Sequence, residues 1–175
     1  AFQHILKKQS VVLIGEFGFP DEFESVVKII WTLLLKSLNE EETNEEREME
    51  ASVRGHFKLN ILSAIGILYM ASIHIGLPVY TSDFLRWLSS AKLPFFKAND
   101  CLPKSWREKL PNYYLGLLEG VKVPRNGQLF VKVAQLCVRT QFTTNFNCQL
   151  RYEGLVFKLT TCFLFPPQFY IFTIK

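Results

Sequence analysis

An all-α fold is what this sequence predicts, on three observations. Apolar residues recur at three- and four-residue spacing along most of the 175-residue chain. One stretch, Ile61 to Ile75, is apolar on nearly every side. No segment alternates apolar and polar residues with the period of a strand. Hydrophobic residues make up 49% of the chain and aromatics 14%, ample for a packed core and incompatible with global disorder. The length suits one domain, or one domain and part of a second.

The elements follow in order. Phe2, Ile5, Leu6, Val12, Leu13 and Phe17 share one face of a first helix, closed by Gly15 and Gly18. Pro20 and Asp21 open a second, whose stripe is Phe23, Val26, Val27, Ile30, Trp31, Leu34 and Leu38. Asp21 and Glu22 suit the positive end of that helix. An acidic loop is expected over 39–52, as a solvated surface excursion without a role. The third helix, Phe57 to Ile75, is apolar all round, as a helix surrounded by others must be, and Ser63, Ala64, Gly66 and Ala71 would let neighbours approach. Gly76-Leu77-Pro78 stops it. Thr81 or Ser82 is expected to cap a short fourth helix carrying Phe84, Leu85, Trp87 and Leu88. Leu93-Pro94 breaks that helix, and a short fifth is expected over Phe95 to Asp100.

Beyond Cys101 the prolines Pro103, Pro111 and Pro124 predict an ordered linker with short helical turns, because proline cannot continue a helix. Asn126 would then cap a long helix through Leu129, Phe130, Val133, Ala134 and Cys137. A last helix is expected from Gln149 to Phe165, stopped by Pro166-Pro167.

Several function classes are disfavoured. Ile61 to Ile75 is too short to span a bilayer, and Lys158 and Pro166-Pro167 interrupt the tail from Leu155 to Phe172, so no membrane role is expected. The start, AFQHILKKQ, does not read as a signal peptide, and a chain that begins at Ala and ends at FTIK reads as part of something longer. Cys101, Cys137, Cys148 and Cys162 are widely spaced, and reduced, mostly buried thiols are expected. His4, His56 and His74 lack metal-ligand spacing, and His74 is expected to be a hydrogen-bonded structural residue. Gly15 to Gly18 and Asn126-Gly127 lack the context of phosphate loops. No nucleophile elbow is present, so no catalytic residue, cofactor or metal is assigned and an enzyme is not expected.

Charge is more informative. The formal net charge is +4, yet Glu40 to Glu50 holds seven of the 16 acidic residues. The rest of the chain carries 19 basic and 9 acidic residues, a net +10, which suits an anionic partner. Around the fourth helix stand Arg86, Lys92 and Lys97. The linker interleaves Lys104, Arg107, Lys109, Lys122 and Arg125 with Trp106, Tyr113 and Tyr114, and Lys132 and Arg139 follow on the next helix. The cations are candidate phosphate contacts. The three aromatics are candidates for protein interface or for packing the linker down.

Five helices around an apolar third, with LYMASIHIGLP leading into a short fourth helix, resemble the first cyclin repeat of transcription-factor-IIB-like proteins. LPVYTSDFLRWLSSAKLPFF, LPKSWREKLPNYYLGLLEG, NGQLF, FPDEFESVVKIIW and FPPQFY are similar to one branch, the transcription-factor-IIB-related subunit of the fungal RNA polymerase I core factor. The resemblance implies a cyclin-like repeat at 1–100, an ordered linker at 101–125 and the first two helices of a second repeat at 126–175. It also implies a nuclear, nucleolar initiation factor with RNA polymerase I, two other core-factor subunits, TATA-binding protein and ribosomal RNA promoter DNA as partners. Zinc is implied only in an N-terminal ribbon, whose cysteine pairs this sequence lacks. A rival reading, a cyclin that activates a protein kinase, needs a Lys and a Glu facing the kinase from the third and fifth helices. Lys58 and Asp100 are poor matches for them.

Overall fold

The computed structural model describes residues 1–44, 57–125, 127–148 and 152–174. Its helices are α1 (Phe2–Phe17), α2 (Glu22–Asn44), α3 (Ile61–Ile75), α4 (Thr81–Ser89), α5 (Lys104–Lys109), α6 (Asn112–Leu117), α7 (Gln128–Arg139), α8 (Phe142–Asn145), α9 (Tyr152–Cys162) and α10 (Pro167–Thr173). A 3-10 turn, Ala98–Cys101, lies between α4 and α5. Among the described residues no strand occurs, and the all-α expectation holds.

Helix α3 is the axis of the domain. Ala64, Ile65, Ile67, Leu68, Met70 and Ala71 are all fully buried and at helical spacing cover more than half of the helix circumference, with Leu62, Tyr69 and Ile73 partly buried on the remaining face. The helix packs most extensively against α7, then α2, with α1 and α4 also in contact. Phe23, Ile30 and Leu34 of α2, Ile5 and Leu13 of α1, and Phe84 and Leu88 of α4 complete the core. Leu129, Val133 and Leu136 of α7 belong to the same cluster, so the 126 boundary is no break in packing. Each such side chain contributes roughly 1.5–3 kcal/mol by leaving water.

Several boundaries differ from the expected ones. Gly15 lies inside α1, and Gly18 closes it in the left-handed region at φ 70°, donating its N–H to the Leu13 carbonyl. Helix α2 runs on to Asn44, so the acidic loop expected from residue 39 begins as helix; its remainder at 45–52 lies outside the described residues. Helix α3 starts at Ile61 rather than Phe57. Asn60 Oδ1 accepts the Ser63 N–H at 3.1 Å and Ser63 Oγ accepts the Asn60 N–H at 3.2 Å, a reciprocal cap that holds Phe57 to Asn60 outside the helix. Neither Thr81 nor Ser82 caps α4. Asp83 does, accepting the Tyr80 N–H on Oδ2 at 3.0 Å. The fifth helix is only the 3-10 turn, because Phe95 turns inward onto the core and Lys97 is not yet helical. Asn126 lies outside the described residues, and the N-cap position of α7 is Gly127 at φ 88°. The final helix expected over 149–165 is shorter, α9, and the short helices α8 and α10 flank it. Pro166-Pro167, expected as a stop, also starts α10, since proline suits a first helical turn.

His74 is structural, as expected: its Nδ1 accepts the Asn147 N–H at 3.0 Å and its ring meets Phe146 edge-on. The thiols are all free, but only Cys101 and Cys137 are partly buried; Cys148 and Cys162 are exposed.

Candidate nucleic-acid and partner interface

The ten candidate cations separate into two sets. Lys132 was expected at the surface and is buried. Its Nζ donates to the Lys58 carbonyl at 2.9 Å and stands 4.2 Å from the centre of the Phe57 ring. The reason is register: a helix that buries Leu129, Val133 and Leu136 carries position 132 onto the same face. Burial, and secondarily the charge of Arg139, pulls its pKa below the ordinary lysine value. Arg139, half-buried, also stands over the Phe57 ring, 4.6 Å from its centre. Arg107 donates to Asp100 at 2.8 Å, and Arg86 pairs with Asp83 at 3.3 Å. These four cations are engaged within the protein.

Lys92, Lys97, Lys104, Lys109, Lys122 and Arg125 are exposed and have no carboxylate partner among the described residues. The backbone near Lys92, Lys97 and Lys122 is held by long-range contacts. Gln9, fully buried on α1, donates from Nε2 to the Pro94 carbonyl at 2.6 Å. The Gly120 N–H donates to the Phe95 carbonyl at 2.9 Å. A Cβ on Gly120 would fall 2.0 Å from the Phe95 ring, so only glycine permits that approach. Asn99 Nδ2 reaches the Leu115 carbonyl at 3.0 Å and Glu119 Oε2 at 3.2 Å. The linker is thus clipped to the turn after α4.

The linker aromatics sit differently from a packing role. Tyr113 and Tyr114 contact each other edge-on at 5.5 Å and stay 63% and 53% exposed, while Leu118, just past the end of α6, is the residue buried there. Lys58 Nζ stands 5.1 Å from the Tyr113 ring centre. Trp106 rests against His4 at 5.5 Å but is 45% exposed. The linker is therefore pinned by Phe95, Asn99, Leu118 and Gly120, leaving the aromatic candidates open to a partner. Neither residue proposed for kinase contact fits: Lys58 lies outside α3, in the non-helical chain before it, and Asp100 is tied to Arg107.

One cluster escaped the sequence reading. Asp83 is buried, and both of its oxygens lie 2.6 Å from Lys158 Nζ of α9. The same carboxylate takes Arg86 and the Tyr80 N–H. Beside it Gly154 lies so close to Pro78 that a Cβ would come within 2.6 Å of it. The available signal was Lys158 itself, a lone cation in an apolar helical run that needs a buried partner. Among the described residues no group of three His, Cys, Asp or Glu side chains is placed to hold a metal ion, and no helix is long and apolar enough to cross a membrane.

Comparison with known proteins adds three findings. A family model described as the Rrn7/TAF1B N-terminal cyclin domain matches residues 2–104. The RNA polymerase I-specific transcription initiation factor RRN7 of Saccharomyces cerevisiae is 45% identical over 173 residues, 99% of this chain. The chain spans 32% of that protein's length. A chain in the crystal structure of S. cerevisiae core factor superposes with a TM-score of 0.78 at 42% identity, over 98% of this chain and 42% of that one.

Proposed function

The chain belongs to the Rrn7/TAF1B family through its N-terminal cyclin domain, and from that premise we propose that it is part of an initiation factor for RNA polymerase I, acting within a core factor on the ribosomal RNA promoter. The observation that carries this reading is the 45% identity to an RNA polymerase I initiation factor across 99% of the chain. A scaffold of packed helices with exposed, unpaired cations suits the role: phosphate contacts position a protein on duplex DNA without a reactive centre.

In this reading residues 1–100 form the first cyclin-like repeat, 101–125 the linker, and 126–175 the start of a second repeat whose leading helix packs back onto the first. The partners are RNA polymerase I, two further core-factor subunits, TATA-binding protein and promoter DNA, and the site of action is the nucleolus. The exposed Trp106, Tyr113 and Tyr114 are assigned to protein partners. Zinc belongs to the family's ribbon and not to these residues, and no catalytic step is assigned.

Affinity purification of the full-length protein from cells, followed by mass spectrometry, tests the assignment. RNA polymerase I subunits and two constant companions are expected. Recovery of a protein kinase without polymerase overturns it.

A further inference from the structure

Charge and tertiary contacts together single out part of the cationic surface. The segment 91–98 reads AKLPFFKA and the segment 120–125 reads GVKVPR: four cations and no carboxylate. They are distant in sequence and joined by the Gly120 to Phe95 hydrogen bond of 2.9 Å. Lys97 and Lys122 each stand two residues from that bond, within about 7 Å of it by chain reach. The neighbouring carboxylate, Glu119, is held by Asn99 Nδ2. The segment Asp100 to Lys109 is equally exposed in part but sets two carboxylates against three cations, and its Arg107 is spent on Asp100.

We propose that Lys92, Lys97 and Lys122, with Arg125 at the margin, form one surface that contacts the phosphate backbone of duplex DNA, and that Lys104 and Lys109 do not. The proposal rests on the promoter-binding reading above and narrows it to a place. Rigidity supports it. The turn at 92–97 is anchored by Gln9 on one side and Gly120 on the other, so the lysine backbones are ordered before any ligand arrives and only side-chain entropy is lost on binding. Neither segment contains a carboxylate, and the nearest ones in sequence, Glu119 and Asp100, are engaged by Asn99 and Arg107.

The test uses the full-length protein in its assembled complex and fluorescence anisotropy with a promoter duplex and a scrambled duplex of equal length. Lys97→Gln with Lys122→Gln should weaken binding to both duplexes by the same factor, roughly tenfold at low salt. It should also flatten the plot of log affinity against log salt by about 2. Lys104→Gln with Lys109→Gln should leave both within about threefold of the parent. All of these lysines are exposed, so unchanged thermal melting verifies the fold. Loss on the Lys104 and Lys109 pair alone overturns the place while DNA binding stands. Absence of salt-dependent binding by the parent complex overturns the underlying reading. Normal DNA binding with impaired polymerase capture would show that the surface meets an acidic protein, which also overturns the proposal.

Discussion

Leu136 occupies the space that a side chain at position 66 would need: a Cβ placed on Gly66 would lie 2.6 Å from Leu136 Cδ1. This contact sets how closely α7 approaches the central helix α3, and the two helices share the most extensive interface in the domain. Leu136 is fully buried and cannot swing aside cheaply.

Gly66→Val should therefore lower the unfolding free energy by about 2–3 kcal/mol through overpacking, despite the gain in helix propensity. Leu136→Ala alone should cost about 2–5 kcal/mol through its cavity. Combined, the two substitutions should cost clearly less than their sum, because the valine fills the space that the leucine vacates. Urea denaturation of all three variants measures the coupling. Strict additivity would show that the two residues do not compete for that space.

Breaking the Asp83 cluster should be more damaging on the acid side. Asp83→Ala removes the α4 cap and strands Lys158, with an expected cost of about 2–4 kcal/mol. Lys158→Met keeps the cap and the volume and should cost less. In both variants amide exchange along α9 should speed up more than exchange in α3, since this pair ties α9 to α4.

Lys132 offers a pH test. Its pKa is lowered in the folded protein, so between that value and about 10.4 the unfolded chain holds more protons than the folded one. Stability should rise with pH across that window, and the rise should be smaller in Lys132→Met. Melting temperatures between neutral pH and pH 10.5 supply the measurement. The same substitution should leave the proposed DNA contact unchanged, because the ammonium group is buried against Lys58 and Phe57.

Thiol chemistry should divide the four cysteines into two pairs. Cys148 and Cys162 are exposed and should react rapidly with a maleimide at neutral pH. Cys101 and Cys137 should react slowly, since burial raises both thiol pKa values and limits access. Peptide mapping after timed labelling distinguishes them.

How far the sequence could be read differs between fold and site. The stripe of α2 and the all-round apolar α3 were plain, because 3.6-residue periodicity is a local property. Helix ends were less so. Asn60 with Ser63, and Asp83 with Tyr80, compete with equally plausible caps a few residues away, and local preference alone does not choose between them. Among the cations the ten candidates were visible by type. Lys132 could have been removed by its spacing from Leu129, Val133 and Leu136. Arg107 and Arg86 could not, because which carboxylate reaches which guanidinium depends on the turns between them.

What the sequence determined by itself was helical class, a central buried helix and an excess of positive charge outside one acidic run, since each follows from residue type and short-range spacing. Only the tertiary structure decided which charges remain free. A salt bridge such as Lys158 with Asp83, or a clip such as Gly120 on Phe95, joins residues far apart in the chain. Its strength comes from distance and burial in the folded state, and neither is a property of any short stretch of sequence.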